Sequence, residues 1–180
     1  MTLHVLGGGT LGRFIADIAA DCEGLTIAGF FDDRYPAVAE IGGIPVVGRF
    51  SDADPAVHRH IAIGVGEPKD RRRLFEQCCA AGFELPSVVH PSAVISRTAT
   101  IADGVIIGPH STVLSGSRIG SGCCLLSMVN VNHDITVQPW CLIGASVAIG
   151  NGATLEEGCH IAMGQVIRPA ATVAAWSYSG

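Results

Sequence analysis

Apolar residues recur every six positions from Val89 to Val173. The series runs Val89, Ile95, Ile101, Ile107, Val113, Ile119, Leu125, Val131, Val137, Ile143, Ile149, Leu155, Ile161, Ile167, Val173, always Ile, Leu or Val, without a slip of register. Two places before each next member the residue is usually small: twelve of fourteen are Ala, Ser, Cys or Val, with Ile135 and Gln165 the exceptions. A period of six is neither the 3.6 of a helix nor the 2 of a half-buried strand. A hexapeptide period predicts a parallel β-helix with three hexads to each triangular coil. The large apolar column points into the prism and the small residues fit near its corners. Successive coils pair as parallel strands about 4.8 Å apart.

The first half has a different pattern. Leu3 to Leu6 is a short apolar run ending in Gly7-Gly8-Gly9, and Thr10 to Ala20 has helical spacing. Leu25 to Phe31 reads as a second strand ending at Asp32-Asp33, which completes a βαβ unit. Ile44 to Gly48 reads as an edge piece, His60 to Gly66 as a third main strand, and Leu85 to Val89 as a fourth. Pro68 to Ala81 is a helix with Pro in its first turn and Gly82 as its C-cap. The expected architecture is therefore an α/β Rossmann-like domain over residues 1–85, then an all-β left-handed parallel β-helix over 86–180.

Composition narrows the classes. In 180 residues, 48% are hydrophobic and 15% charged, which suits a filled interior and a lightly charged surface. No apolar run approaches the ~20 residues of a membrane span, so no membrane partner is expected. MTLHVLGGGT has no basic n-region or cleavage site, so no signal peptide is expected and the cytoplasm is the expected compartment. Seven Cys, an odd count with two adjacent pairs, do not make a secreted disulfide framework. Cys123, Cys141 and Cys159 fall on the small-residue position and stack one per coil. A zinc site from that column would point inward and lacks CxxC spacing. The net charge of −5, with only Arg97, Arg118 and Arg168 basic after Val89, argues against nucleic acid.

Two stretches carry candidate chemistry. Gly7, Gly9 and Gly12 satisfy G-x-G-x-x-G between a strand and a helix, a turn that lets backbone N–H groups face an anion. Asp32 or Asp33 then accepts hydrogen bonds from a ribose or base. NAD is one candidate ligand. No second mononucleotide half follows, however, so half of a sugar nucleotide fits better. Lys69, Arg71, Arg72 and Arg73 form either an exposed basic face or, through Arg71, a phosphate contact. The second stretch is Asn132-His133-Asp134. His133 lies two places after Val131, at a corner where a side chain is exposed, and it suits a general base for attack on a thioester. Asp134, or another carboxylate close by, would orient the imidazole, and backbone N–H groups around Gly144 would stabilise the oxyanion. A zinc-dependent hydratase built from His110, His133 and His160 is disfavoured. Their spacings of 23 and 27 are not multiples of the 18-residue coil, so they lie on different edges. Trp140, at the next corner, packs at a subunit contact or covers a ligand. Trp176 and Tyr178 suggest that the tail packs on something, such as another subunit.

A glycine-rich Rossmann-like domain ending in His90-Pro91-Ser92-Ala93, followed by hexads with an Asn-His-Asp, resembles one bacterial family. It is the sugar O-/N-acetyltransferases of sialic acid, bacillosamine and perosamine biosynthesis, and the resemblance covers nearly the whole chain. It implies a homotrimer that moves an acetyl group from acetyl-CoA to a nucleotide-linked amino sugar, with His133 as general base and no metal. It also implies that Gly7, Gly8, Gly9, Asp32, Asp33, Ile63, Gly64 and Arg71 contact the nucleotide, and that acetyl-CoA runs past Leu142, Gly144 and Asn151. The chain departs from the family pattern at Leu126, where Asn is usual, at Leu142, where a second His is usual, and in ending at Gly180, about where the last coil begins. O-acetylation of a sialic-acid-type sugar, and a trimeric scaffold that binds a sugar nucleotide without turnover, remain alternatives.

Overall fold

The computed structural model describes residues 1–179. The chain divides into two compact units, one over Met1–Val88 and one from Val89 on.

The first unit is a five-stranded sheet with two helices. Its elements are β1 (Thr2–Leu6), α1 (Thr10–Asp21), β2 (Thr26–Phe31), β3 (Glu40–Ile41), β4 (Ile44–Gly48), β5 (Ile61–Ile63) and α2 (Pro68–Ala81). The sheet order is β3-β4-β2-β1-β5. Only the β3–β4 hairpin is antiparallel. The segment read as an edge, Ile44–Gly48, is thus an inner strand: the two-residue β3 covers it. Helix α1 buries Leu11, Ile15, Ile18 and Ala19, one stripe at helical spacing, so its apolar face turns to the core. Helix α2 ends where Gly82 takes a left-handed conformation (φ 92°) and its N–H caps the carbonyls of Cys78 and Cys79.

The second unit is the β-helix. Two-residue strands start every six residues from Val88–Val89 to Tyr178–Ser179. Each pairs in parallel with strands eighteen residues away, as Thr112–Val113 does with Val94–Ile95 and Asn130–Val131. Three sheets result. The fourth strand expected from Leu85 is shorter than read. Only Val88–Val89 is extended, and it belongs to a β-helix sheet rather than to the first unit's sheet. The reason is register: Val89 is already the first member of the six-residue series.

The inward series is as expected. From Ile107 to Ile161 every member is at most 2% exposed, and all pack in one cluster with the small column. The small residues do more than save space. Ser111 and Ser117 donate their hydroxyls to the carbonyls of Leu126 (2.8 Å) and Asn132 (2.6 Å), and accept from the N–H groups of Val129 and Ile135. Cys123 and Cys141 donate in the same manner to Gln138 O and Glu156 O. Corner carbonyls turned inward would otherwise lack partners in an apolar prism. Cys141 and Cys159 stack with sulfurs 3.5 Å apart. Burial pushes the Cys123 thiol up, which keeps it protonated and able to donate.

Each corner from residue 104 to residue 176 has one residue at positive φ, again every six positions. Six are glycines; the others include His110, Met128, Asp134, Trp140 and Trp176. A bulky residue in this region costs roughly 1–2 kcal/mol, so packing must compensate. For the two tryptophans the compensation is visible. A Cβ built on Gly122 would lie 2.4 Å from the Trp140 indole, and one on Gly158 would lie 2.3 Å from that of Trp176. Each indole therefore rests on the glycine one coil earlier. Trp140 is buried by its own chain (8% exposed), so its packing needs no neighbouring subunit. Tyr178 meets the ring of His160 edge-on at 4.9 Å, also within the chain.

Candidate functional site

In the first unit, the ends of β1, β2 and β5 converge on the glycine loop. Gly7 has φ 93°. A Cβ on Gly12 would lie 2.0 Å from Gly7 O, and one on Gly64 would lie 2.4 Å from Gly7 O and 2.6 Å from Gly12 Cα. Three backbones thus touch where any side chain would force them apart. Gly9 caps α1, and a Cβ there would meet nothing within 4 Å, so its surroundings are open. The first N–H groups of α1 have no partner within the helix and carry its positive dipole end.

Two cavities flank this loop and share Gly7, Asp32 and Val65. One, of about 510 Å³, is lined by Gly8, Gly9, Thr10, Arg34 and Gly66. The other, of about 470 Å³, is lined by Asp33, Phe50, Ser51, Arg73 and Gln77. The first offers main-chain donors and a guanidinium, the second an aromatic wall and side chains of mixed polarity.

Asp32 and Asp33 separate in role. Asp32 is buried, and both its oxygens are engaged. It accepts from Gly8 N (2.8 Å), Arg34 N (3.0 Å), Arg34 Nε (2.7 Å) and Arg34 Nη2 (2.8 Å). These bonds, the guanidinium's first, hold its carboxyl well below the usual carboxylate range. Asp32 therefore ties the glycine loop to the end of β2, and exposed Asp33 is the open acceptor.

The depressed ionisation has a sign. The unfolded chain binds a proton at Asp32 more readily, so the stabilisation is complete above the ordinary Asp range, about pH 4, and is lost as pH falls through and below it. Asp32→Asn is accordingly expected to flatten the acid side of the stability curve. Between pH 6 and pH 3 the variant should lose roughly 1 kcal/mol less than the parent, read as urea midpoints. Equal losses in the two proteins would contradict this role.

Arg71 differs from its expected place on a basic face. It is 1% exposed, and its Nη1 donates to Val65 O (3.2 Å) and Gly66 O. The guanidinium braces the loop after β5. Helical phase explains this: on α2, Pro68, Arg71 and Cys78 form the buried stripe. The neighbouring Arg72 and Arg73 pair with Glu76 (2.8 Å) and Asp70 (3.4 Å) on the outside. Ile63 is buried in β5, and Gly64 lines the first cavity.

In the second unit, His133 is exposed at a corner. Its Nδ1 lies 2.7 Å from Ser115 Oγ, and its backbone N–H donates to Asn151 Oδ1 at 3.4 Å. These residues are one coil below and one coil above it. Ser115 was absent from the sequence reading, although its signal, a spacing of 18, was present. Asp134 does not hold the imidazole. It adopts φ 58°, its carboxylate folds back over Gly116, and its N–H donates to Ser115 O at 3.0 Å. Among the described residues no hydrogen bond joins Asp134 to His133. Gly144 is not a free oxyanion donor either: its N–H is donated to Ile161 O at 2.8 Å, as the inter-coil ladder requires. Leu142 is half-buried on the outer side of its strand, between Cys124 and His160 of adjacent coils.

A family model described as the PglD N-terminal domain matches residues 2–78. Over the whole chain, the fold is similar to a perosamine N-acetyltransferase of Caulobacter crescentus solved as a histidine-to-asparagine variant with CoA and GDP-perosamine. The TM-score is 0.82 at 21% identity, covering 100% of this chain and 91% of that one. Over nearly its whole length the chain is thus similar to bacterial sugar acetyltransferases. The acetyltransferase domain of PglB from Neisseria gonorrhoeae, solved with acetyl coenzyme A, is similar with a TM-score of 0.77 at 25% identity, covering 99% of this chain and 92% of that one. The GDP-perosamine N-acetyltransferase of Escherichia coli O157:H7 is 24% identical over a 171-residue alignment that covers 91% of this chain and 76% of that protein. Those proteins carry out acyl transfer, and in this chain the exposed His133, hydrogen-bonded to Ser115, is a basic side chain that the β-helix presents at a corner.

Proposed function

We propose that the protein transfers the acetyl group of acetyl-CoA to the amine of a nucleotide-linked amino sugar, with His133 as general base. The observation that carries this is the exposed imidazole of His133, held at Nδ1 by Ser115 with no partner at Nε2 among the described residues, on a chain similar to sugar N-acetyltransferases. The substrate nitrogen attacks the thioester carbonyl carbon while Nε2 takes its proton. The tetrahedral intermediate then expels CoA by breaking the C–S bond, and the proton returns to the leaving thiolate. A positioned base of this kind is worth roughly 10²–10⁴ in rate. Asp134, next in the chain, places a negative charge near the imidazolium without touching it.

The nucleotide belongs to the first unit. Its phosphates suit the open N-terminus of α1 at Gly8, Gly9 and Thr10, and its base and ribose suit the cavity at Asp33, Phe50 and Gln77. Ile63, Gly64 and Arg71 shape that loop from behind. Acetyl-CoA runs along the β-helix past Leu142 and Asn151, with Gly144 as wall. The active assembly is a homotrimer. A cytoplasmic location suits its seven free thiols. Among the described residues no helix is long and apolar enough to cross a membrane.

The test is thiol release from acetyl-CoA with a panel of UDP-, dTDP- and GDP-linked 4-amino sugars and free sialic acid, with light scattering for the trimer. Release with one amino sugar is expected. Release with sialic acid alone would replace N- by O-acetylation. Calorimetric binding of a sugar nucleotide with no thiol release on any acceptor would instead mark a scaffold.

A further inference from the structure

The corner that carries His133 is a three-storey column. One coil is eighteen residues, so Ser115 lies beneath the histidine and Asn151 above it. Ser115 Oγ sits 2.7 Å from Nδ1, and no other side-chain partner of that imidazole is found among the described residues. The carboxylate expected to orient the ring, Asp134, is turned away over Gly116. We infer that Ser115 is the positioning residue of His133, holding Nδ1 toward the coil stack so that Nε2 faces the substrate side.

A base must present its lone pair in a fixed direction, and an exposed imidazole otherwise rotates about two side-chain bonds. A hydrogen bond at Nδ1 selects one ring orientation. The hydroxyl can donate or accept at Nδ1; the arrangement that serves a base has Nδ1–H donating to it, which leaves the lone pair on Nε2. When Nε2 takes the substrate proton, Nδ1–H is still a donor and the bond to Ser115 survives the step. A neutral hydroxyl thereby supplies the orientation that a carboxylate supplies in other triads. Asn151, bonding only the main chain of His133, fixes the height of the corner and not the ring.

This inference rests on His133 acting as the base, and the experiment separates the two. Ser115→Ala, Ser115→Thr and His133→Ala are compared in the full-length protein by thiol release. Long-range proton–nitrogen NMR of the His133 ring in the ligand-free protein reads the tautomer without any turnover. Ser115→Ala should lower kcat about tenfold, the upper range for one neutral hydrogen bond, with KM for acetyl-CoA unchanged and the ring nitrogens shifted toward a mixture of tautomers. Ser115→Thr, which keeps the hydroxyl, should restore both. Ser115 is only partly buried, and a thermal melt checks that the fold is kept. An unchanged tautomer in Ser115→Ala overturns the inference whatever the rate does, as does a Thr variant that behaves like Ala. Full activity in His133→Ala overturns the base assignment and the positioning role with it. An inactive His133→Ala beside a fully active Ser115→Ala overturns the positioning role alone.

Discussion

His133→Ala is expected to lower kcat by roughly 10²–10⁴ while the melting temperature and assembly state stay those of the parent. The side chain is exposed and contributes no packing. The bonds that hold this corner use the main chain of His133: Gly152 N to His133 O at 3.0 Å, and His133 N to Asn151 Oδ1. Alanine keeps both. The inward neighbours Val131 and Ile135, each 0% exposed, keep their places in the prism. KM for both substrates should change little, because the imidazole acts on the proton in flight more than on the bound ground state. A variant that turns over at near the parental kcat on the parent's best substrate would remove His133 from the mechanism. A loss of activity accompanied by a collapsed melt would mean that the corner, not the base, had been damaged.

The second large effect is expected at Gly64. A methyl group there would lie 2.4 Å from Gly7 O and 2.6 Å from Gly12 Cα. All these neighbours are backbone, so no side chain can swing aside. Strand β5 must move away from the glycine loop and the start of α1, breaking the Gly64 N to Leu6 O bond of 2.7 Å or distorting it. Overpacking of this kind costs about 1–3 kcal/mol. The functional loss should be larger, because the displaced loop is the one that lines the cavity at Gly8, Gly9 and Thr10. Gly64→Ala should therefore weaken sugar-nucleotide binding at least tenfold by calorimetry and lower the urea midpoint. Parental affinity in Gly64→Ala would show that the loop does not hold the nucleotide.

Particular residues show how far the sequence could be read. The βαβ unit and its glycine turn were legible because strand, turn and helix are local, and each has its own composition. The division between Asp32 and Asp33 was not: it depends on Arg34 folding back two residues to occupy Asp32. The burial of Arg71 was hidden for a related reason. A run of four basic residues in five reads as a charged face, and only the packing of α2 shows which one points inward. Ser115 lay within reach, since the coil length that excluded a three-histidine zinc site also places Ser115 under His133.

The sequence by itself determined the β-helix. Its period of six, held through fifteen apolar positions, is a constraint that each coil places on the next: a parallel ladder with one buried face admits one register, because a slip would turn the apolar column outward. What the tertiary structure decided is how polar groups are satisfied. Serine and cysteine hydroxyls and thiols meet inward carbonyls, Gly144 gives its N–H to the next coil, Arg71 braces a loop, and His133 takes a hydroxyl rather than the adjacent carboxylate. Hydrophobic burial follows a pattern along the chain. A hydrogen bond depends on which atoms arrive within 3 Å of each other, and here the arriving atoms are mostly fifteen to eighteen residues apart in sequence.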